Sequence, residues 1–188
     1  MVTYSGHSPF KMPESLKTVH FSNRIPEVMA DYMTVAHYTD EAIGKFVEYL
    51  RTRPEYGRTM VVITGDHEGL ADNRKDLCRT KAGKGIVSEN EFTPFIVLNS
   101  PIAMYHTKVM GQVDIYTTLL NLLGLESYRW SGIGQSILDS GKPGIAISPK
   151  RSIEGDTMFL SREELLRMRQ SQVISDRIIR FDKLKDLR

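Results

Sequence analysis

Thr59-Met-Val-Val-Ile-Thr-Gly-Asp-His-Glu-Gly69 is the stretch whose reading decides the fold. Met60 to Thr64 reads as a strand. Four apolar residues with a β-branched majority suit a strand covered on both faces, as in a parallel sheet. Gly65 permits a sharp turn. Asp66 and His67 then fall just past the strand's carboxyl end, where open α/β sheets place their ligands. A carboxylate beside an imidazole is a good partial site for a divalent metal. Alone, an Asp-His pair after a strand is as readily a solvated turn. The order strand, Gly, Asp-His, Gly and the segments around it favour the ligand reading.

Outward from this turn, composition narrows the classes. At 188 residues the chain can bury a sizeable core as one domain. A net charge of +2 gives no reason to expect a nucleic-acid partner. The single cysteine, Cys78, excludes a disulfide within the chain and argues against a cysteine zinc site. No run approaches the roughly 20 apolar residues of a membrane span. Met1-Val-Thr-Tyr-Ser-Gly-His7 is not a secretory signal. The sequence starts as if in mid-architecture, so it is expected to belong to a longer protein.

In chain order, Val2 to Tyr4 reads as a short strand, followed by an extended loop that carries His7. A helix is expected from about Pro26 to Arg51, capped by Ser22 or Asn23. Val28, Met29, Tyr32, Val35, Ile43, Phe46, Val47 and Leu50 form its apolar face. His37 reads there as a packed or partly exposed histidine. Residues 70–91 read as a long polar loop. Its Arg74, Lys75, Arg79, Lys81 and Lys84 are placed either to steer an anionic substrate or simply to be solvated. Thr93 to Leu98 is a second buried strand with Pro94 at its start. Gly111 to Gly124 is a second helix, with Val113, Tyr116, Thr117, Leu119, Leu120 and Leu123 on its apolar side. Asp114 falls in its first turn, in a structural role. Ile145 to Ile147 is a possible short edge strand. Ser161, with Glu163 and Glu164, starts a last helix, expected to break between Ser171 and Ser175 and resume through Ile178, Phe181 and Leu184.

Several segments, in this order, resemble one family. They are Ser5-Gly-His-Ser-Pro-Phe10, Tyr38-Thr-Asp-Glu-Ala-Ile-Gly-Lys-Phe46, Val62-Ile-Thr-Gly-Asp-His67, Thr93-Pro-Phe-Ile-Val97 and Gln112-Val-Asp-Ile-Tyr-Thr-Thr-Leu119. Over roughly residues 1–140 the chain is similar to the carboxyl-terminal part of the sulfatase-like domain of lipoteichoic acid synthases, within the alkaline phosphatase superfamily. The resemblance implies an α/β fold with a mostly parallel sheet flanked by helices. Residues 1–188 would be the carboxyl-terminal portion of that catalytic domain, with 161–188 a helical extension.

The resemblance also implies chemistry. Asp66 and His67 would be metal ligands, and His7 would reach the substrate's anionic group or the leaving oxygen. The cofactor would be a divalent ion, Mn²⁺, Mg²⁺, Ca²⁺ or Zn²⁺. The reaction would be hydrolysis of a sulfuric ester, or phosphoglycerol or phosphoethanolamine transfer, through a covalent intermediate. The substrate would be an anionic sulfate or phosphate ester. The nucleophile and the first acidic ligand would lie in an amino-terminal half that is not in this sequence, so the chain alone is expected to be inactive. Its parent would face outward from the cytoplasmic membrane, periplasmic or at the cell surface, held by upstream helices. Two further departures are Glu68 where the family often has Gly, and Thr117 where the family often has Pro before the Thr. Glu68 reads as stiffening the turn or as a third oxygen ligand, the first being favoured. The alternative function is a non-catalytic α/β domain that binds an anionic glycan or a protein partner through residues 74–84.

Overall fold

The computed structural model describes all residues except 1, 2, 4, 71, 72, 131, 149–151, 184 and 186–188. The expected strand at Val2 to Tyr4 lies mostly outside the described residues. The chain divides into two compact units, Met1–Asn99 and Ser100–Arg188.

The first unit is built on α1, Glu27–Arg51. Its apolar periodicity gives a helix of the expected length, with Met29, Val35 and Val47 buried. The expected cap is corrected. Pro26 occupies the N-cap position, and no side chain closes the first turn. Proline needs none of its own N–H there and its fixed φ suits entry to a helix. Phe46, placed by spacing on the apolar face, is 39% exposed. His37 is exposed and its Nδ1 lies 3.1 Å from Thr18 Oγ1.

Strand β1, Val61–Thr64, pairs with β2, Phe95–Leu98, in an antiparallel ladder that sets Val61 opposite Leu98 and Thr64 opposite Phe95. Both strands lie where the apolar runs put them, and Pro94 sits just ahead of β2. Their surroundings differ from the expectation. Val62 and Ile96 are exposed and burial alternates along β1, so this ladder is not covered on both faces. No parallel ladder occurs among the described residues. A run of β-branched residues reports strand, but the direction of pairing depends on which partner the chain supplies. Asn99, at φ 55, ties off the ladder: its Nδ2 donates to the Tyr56 and Thr59 carbonyls at 2.7 and 2.8 Å. Asparagine tolerates that left-handed backbone better than most residues.

The segment expected as a continuous loop contains α2, Arg74–Arg79. Six residues are too few for periodicity to announce a helix. Leu77 and Leu70 anchor the segment on Met29, with Tyr32, Met33 and Val87 packed around them. Arg74 is itself buried, so the basic stretch does not present five solvated cations.

In the second unit a single 3₁₀ turn, Gln112–Asp114, leads into α3, Ile115–Leu122. Its expected apolar side is corrected: Val113, Tyr116 and Leu123 are exposed, and Thr118 is the buried residue. Asp114 is 4% exposed. Its Oδ2 accepts from Gly111 N and its Oδ1 from Gln135 N, both at 2.8 Å. Thr118 Oγ1 accepts from Ile137 N at 3.1 Å. These bonds fasten residues 135–137 to the helix. The approach is close enough that a Cβ at Gly134 would lie 2.0 Å from the Val113 carbonyl oxygen. Strand β3, Ile145–Ile147, pairs antiparallel with β4, Ile153–Gly155, a strand that sequence reading missed. Helix α4, Arg162–Arg180, starts in a capping box between Ser161 and Glu164 and runs unbroken through Ser171 and Ser175. The expected interruption is absent because both serines stay helical; Ser171 Oγ donates back to the Met168 carbonyl.

Candidate functional site

The turn after β1 is set by local bonds. His67 N donates to Asp66 Oδ1 at 3.0 Å, which folds the carboxylate back over the turn. His67 Nδ1 lies 2.8 Å from the Glu68 carbonyl. A carbonyl only accepts, so Nδ1 carries the proton and a neutral ring keeps its lone pair on Nε2. Nε2 stands 3.7 Å from Asp66 Oδ2. Two ligands on one tetrahedral ion, at bonds of about 2.0–2.2 Å, lie about 3.3–3.6 Å apart. The observed separation is close to that spacing, and metal-binding histidines are usually anchored through their other ring nitrogen as His67 is through Nδ1. The Glu68 carbonyl and the Asp66 charge hold the imidazole pKa above its ordinary value. Both side chains are exposed, Asp66 by 90% and His67 by 68%. Among the described residues, no third His, Cys, Asp or Glu joins them in a metal-sized cluster. Glu68 holds the turn through its backbone carbonyl, and its side chain does not complete a ligand set.

His7 is positioned the same way, with Nδ1 2.8 Å from the next residue's carbonyl, Ser8 O. Its loop is fixed to α1 by two contacts. Phe10, 5% exposed, packs edge-on against Tyr32 with ring centroids 5.2 Å apart. Lys11 Nζ bonds Glu27 and Asp31 at 2.8 and 2.6 Å.

Tyr32 also receives the other loop. A Cβ at Gly69 would fall 2.4 Å from Tyr32 Cε2, so the turn's last residue lies against the same ring. One aromatic residue on α1 therefore buttresses both the His7 loop and the Asp66–Gly69 turn. Sequence reading gave Tyr32 only an apolar-face role, because nothing in helical spacing marks a residue that serves two loops. Arg74, read from its charged run as one of five cations that either steer an anionic substrate or are solvated, instead has its guanidinium buried beside the turn.

A family model described as Sulfatase matches residues 1–125. The chain belongs to that family. Lipoteichoic acid synthases of Staphylococcus aureus, among them those of strains USA300 and NCTC 8325, are 25% identical to it over 147 residues. The match covers 75% of this chain and 23% of each of those proteins, so the chain spans under a quarter of their length. Sulfatase-family membership carries an alkaline-phosphatase-like α/β class. No helix among the described residues is long and apolar enough to cross a membrane.

Proposed function

We propose that these 188 residues are the carboxyl-terminal, metal-bearing portion of a sulfatase-like hydrolase or phosphotransferase domain, with 161–188 as an extension beyond it. Asp66 supplies an anionic oxygen and His67 Nε2 a lone pair to one divalent cation. His7, anchored through Nδ1, offers Nε2 to the ester's anionic group or to the leaving oxygen, where the protonated ring donates a hydrogen bond or a proton. When bound, the cation neutralises charge on the ester and lowers the pKa of the attacking hydroxyl. The nucleophile, a further acidic ligand and the parallel strands of the family sheet come from sequence outside these residues. The whole protein works on the outer side of the cytoplasmic membrane, on a phosphate or sulfate ester.

The convergence of both histidine loops on the Tyr32 ring carries this reading, since a solvated turn has no need of it. The test is metal-dependent hydrolysis of an aryl phosphate and an aryl sulfate by the full-length protein. Asp66→Ala is expected to abolish turnover, and His7→Ala to lower kcat/KM by about 10²–10³-fold. Turnover unchanged in Asp66→Ala would refute the assignment. The 188-residue chain alone, with two ligands and no nucleophile, is expected to be inactive.

A further inference from the structure

Among the described residues of the first unit, Arg74 is the charged side chain with buried nitrogens that lack a hydrogen-bond partner. Its side chain is 9% exposed, while Lys75, Arg79, Lys81 and Lys84 around it are exposed. Nη2 donates to Glu91 Oε1 at 3.1 Å. Nε and Nη1 are buried with no hydrogen-bond partner among the described residues. The side chain lines a cavity of about 210 Å³ together with Tyr32, Glu68, Gly69, Leu70 and Phe92. Glu68 and Gly69 directly follow His67, so this cavity borders the turn described above.

A guanidinium keeps its charge at any ordinary pH and carries five N–H donors. One bond to a half-exposed carboxylate leaves buried donors that favour the arrival of further acceptors. Water or a single hydroxyl satisfies one of them. A tetrahedral oxyanion brings several acceptor oxygens and the compensating charge together. Glu68 and Glu91 oppose a second negative group, so the entering anion has to displace Glu91, whose exposed position leaves it free to swing into solvent.

We infer that the Arg74 cavity is a second anion subsite, where a phosphate or sulfate group replaces Glu91 on the guanidinium. Assigning that group to the substrate or acceptor rests on the proposed function of the adjoining turn; anion binding itself does not. The substrate class is then an ester that carries a second anionic group beside the one that reacts.

The test is calorimetric titration of inorganic sulfate and phosphate, with glycerol as the neutral comparison, into metal-free protein in EDTA. Saturable anion binding is expected, weakened at least about tenfold in Arg74→Lys, which keeps the charge and loses the fork. Glu91→Gln is expected to tighten it severalfold, a gain that misfolding cannot imitate. Asp66→Ala is expected to leave it unchanged, which separates this site from the metal centre. Absence of saturable anion binding, equal affinity in Arg74→Lys, or binding of glycerol in preference to the anions would overturn the inference. In the full-length protein, Arg74→Lys is expected to raise KM for an ester with two anionic groups and not for one with a single group. An equal rise for both would overturn the assignment to substrate while leaving the metal reading of Asp66 and His67 to its own test.

Discussion

Replacing Asp114 by alanine removes the one carboxylate that joins the start of α3 to residues 134–137. The structure fixes the size of the loss. Two backbone N–H groups, those of Gly111 and Gln135, bond the carboxylate at 2.8 Å, and Asp114 is 4% exposed. An N–H left buried without an acceptor costs about 1–3 kcal/mol, so the pair together costs roughly 4 kcal/mol. A unit of this size has a stability on the order of 5–10 kcal/mol, so the loss is a large share of it. Trp130 is the sole tryptophan, and its ring lies 5.4 Å from that of Tyr116 in α3, so its fluorescence reports this unit directly. With a urea slope of about 1–2 kcal/mol per molar, the Trp130 transition of Asp114→Ala should move down by roughly 2–4 M, or lose its folded baseline. A shift below about 0.3 M would show that the two N–H groups find other acceptors and that the reasoning is wrong. Burial pushes the Asp114 carboxyl above its usual pKa, against the pull of the two N–H groups. A raised folded pKa gives stabilisation that is complete below the unfolded value and lost as pH rises through the folded one. Asp114→Asn, which does not titrate, should therefore trail the natural protein by more in acid than in neutral buffer.

Three further outcomes follow from the same geometry. Phe10→Ala should cost about 3 kcal/mol by urea denaturation and speed proteolytic cleavage near His7, because the ring is the loop's anchor on Tyr32. Gly69→Ala should cost about 1–3 kcal/mol and, in the full-length protein, weaken metal binding, since the new methyl displaces Tyr32 from beneath the turn. Ser161→Ala should cost about 1 kcal/mol of α4 stability. The Ser161 hydroxyl and N–H hold the Glu164 carboxyl below its usual pKa, so that cap's contribution is present above the unfolded value and disappears as pH falls through the folded one; far-ultraviolet dichroism should show α4 fraying over that range.

Much of the fold was legible where one element carries its own signal. Helix α1 follows from a long three- and four-residue apolar spacing, and the start of α4 from a capping box in which each side chain bonds the other's backbone. Both ladder strands were placed from apolar runs. Their antiparallel pairing and open face were not, because Val61 to Thr64 carries no mark of its neighbour. Helix α2 escaped because its hold on the core is tertiary, through Leu77 and the buried Arg74. Strand β4, three residues long and ending in glycine, has no pattern to read. The site divides the same way: Asp66 and His67 stand out by local chemistry, while Tyr32 and Arg74 matter only through segments far along the chain.

The central claim is that Asp66 and His67 hold a single cation. It is tested most directly by titrating Mn²⁺ into the full-length protein, its Asp66→Asn and His67→Gln variants, and the double variant. Each single substitution is expected to weaken Mn²⁺ binding at least about tenfold, and the double by less than the product of the two, as for side chains that share one partner. Mn²⁺ affinity unchanged in either single variant would contradict the account.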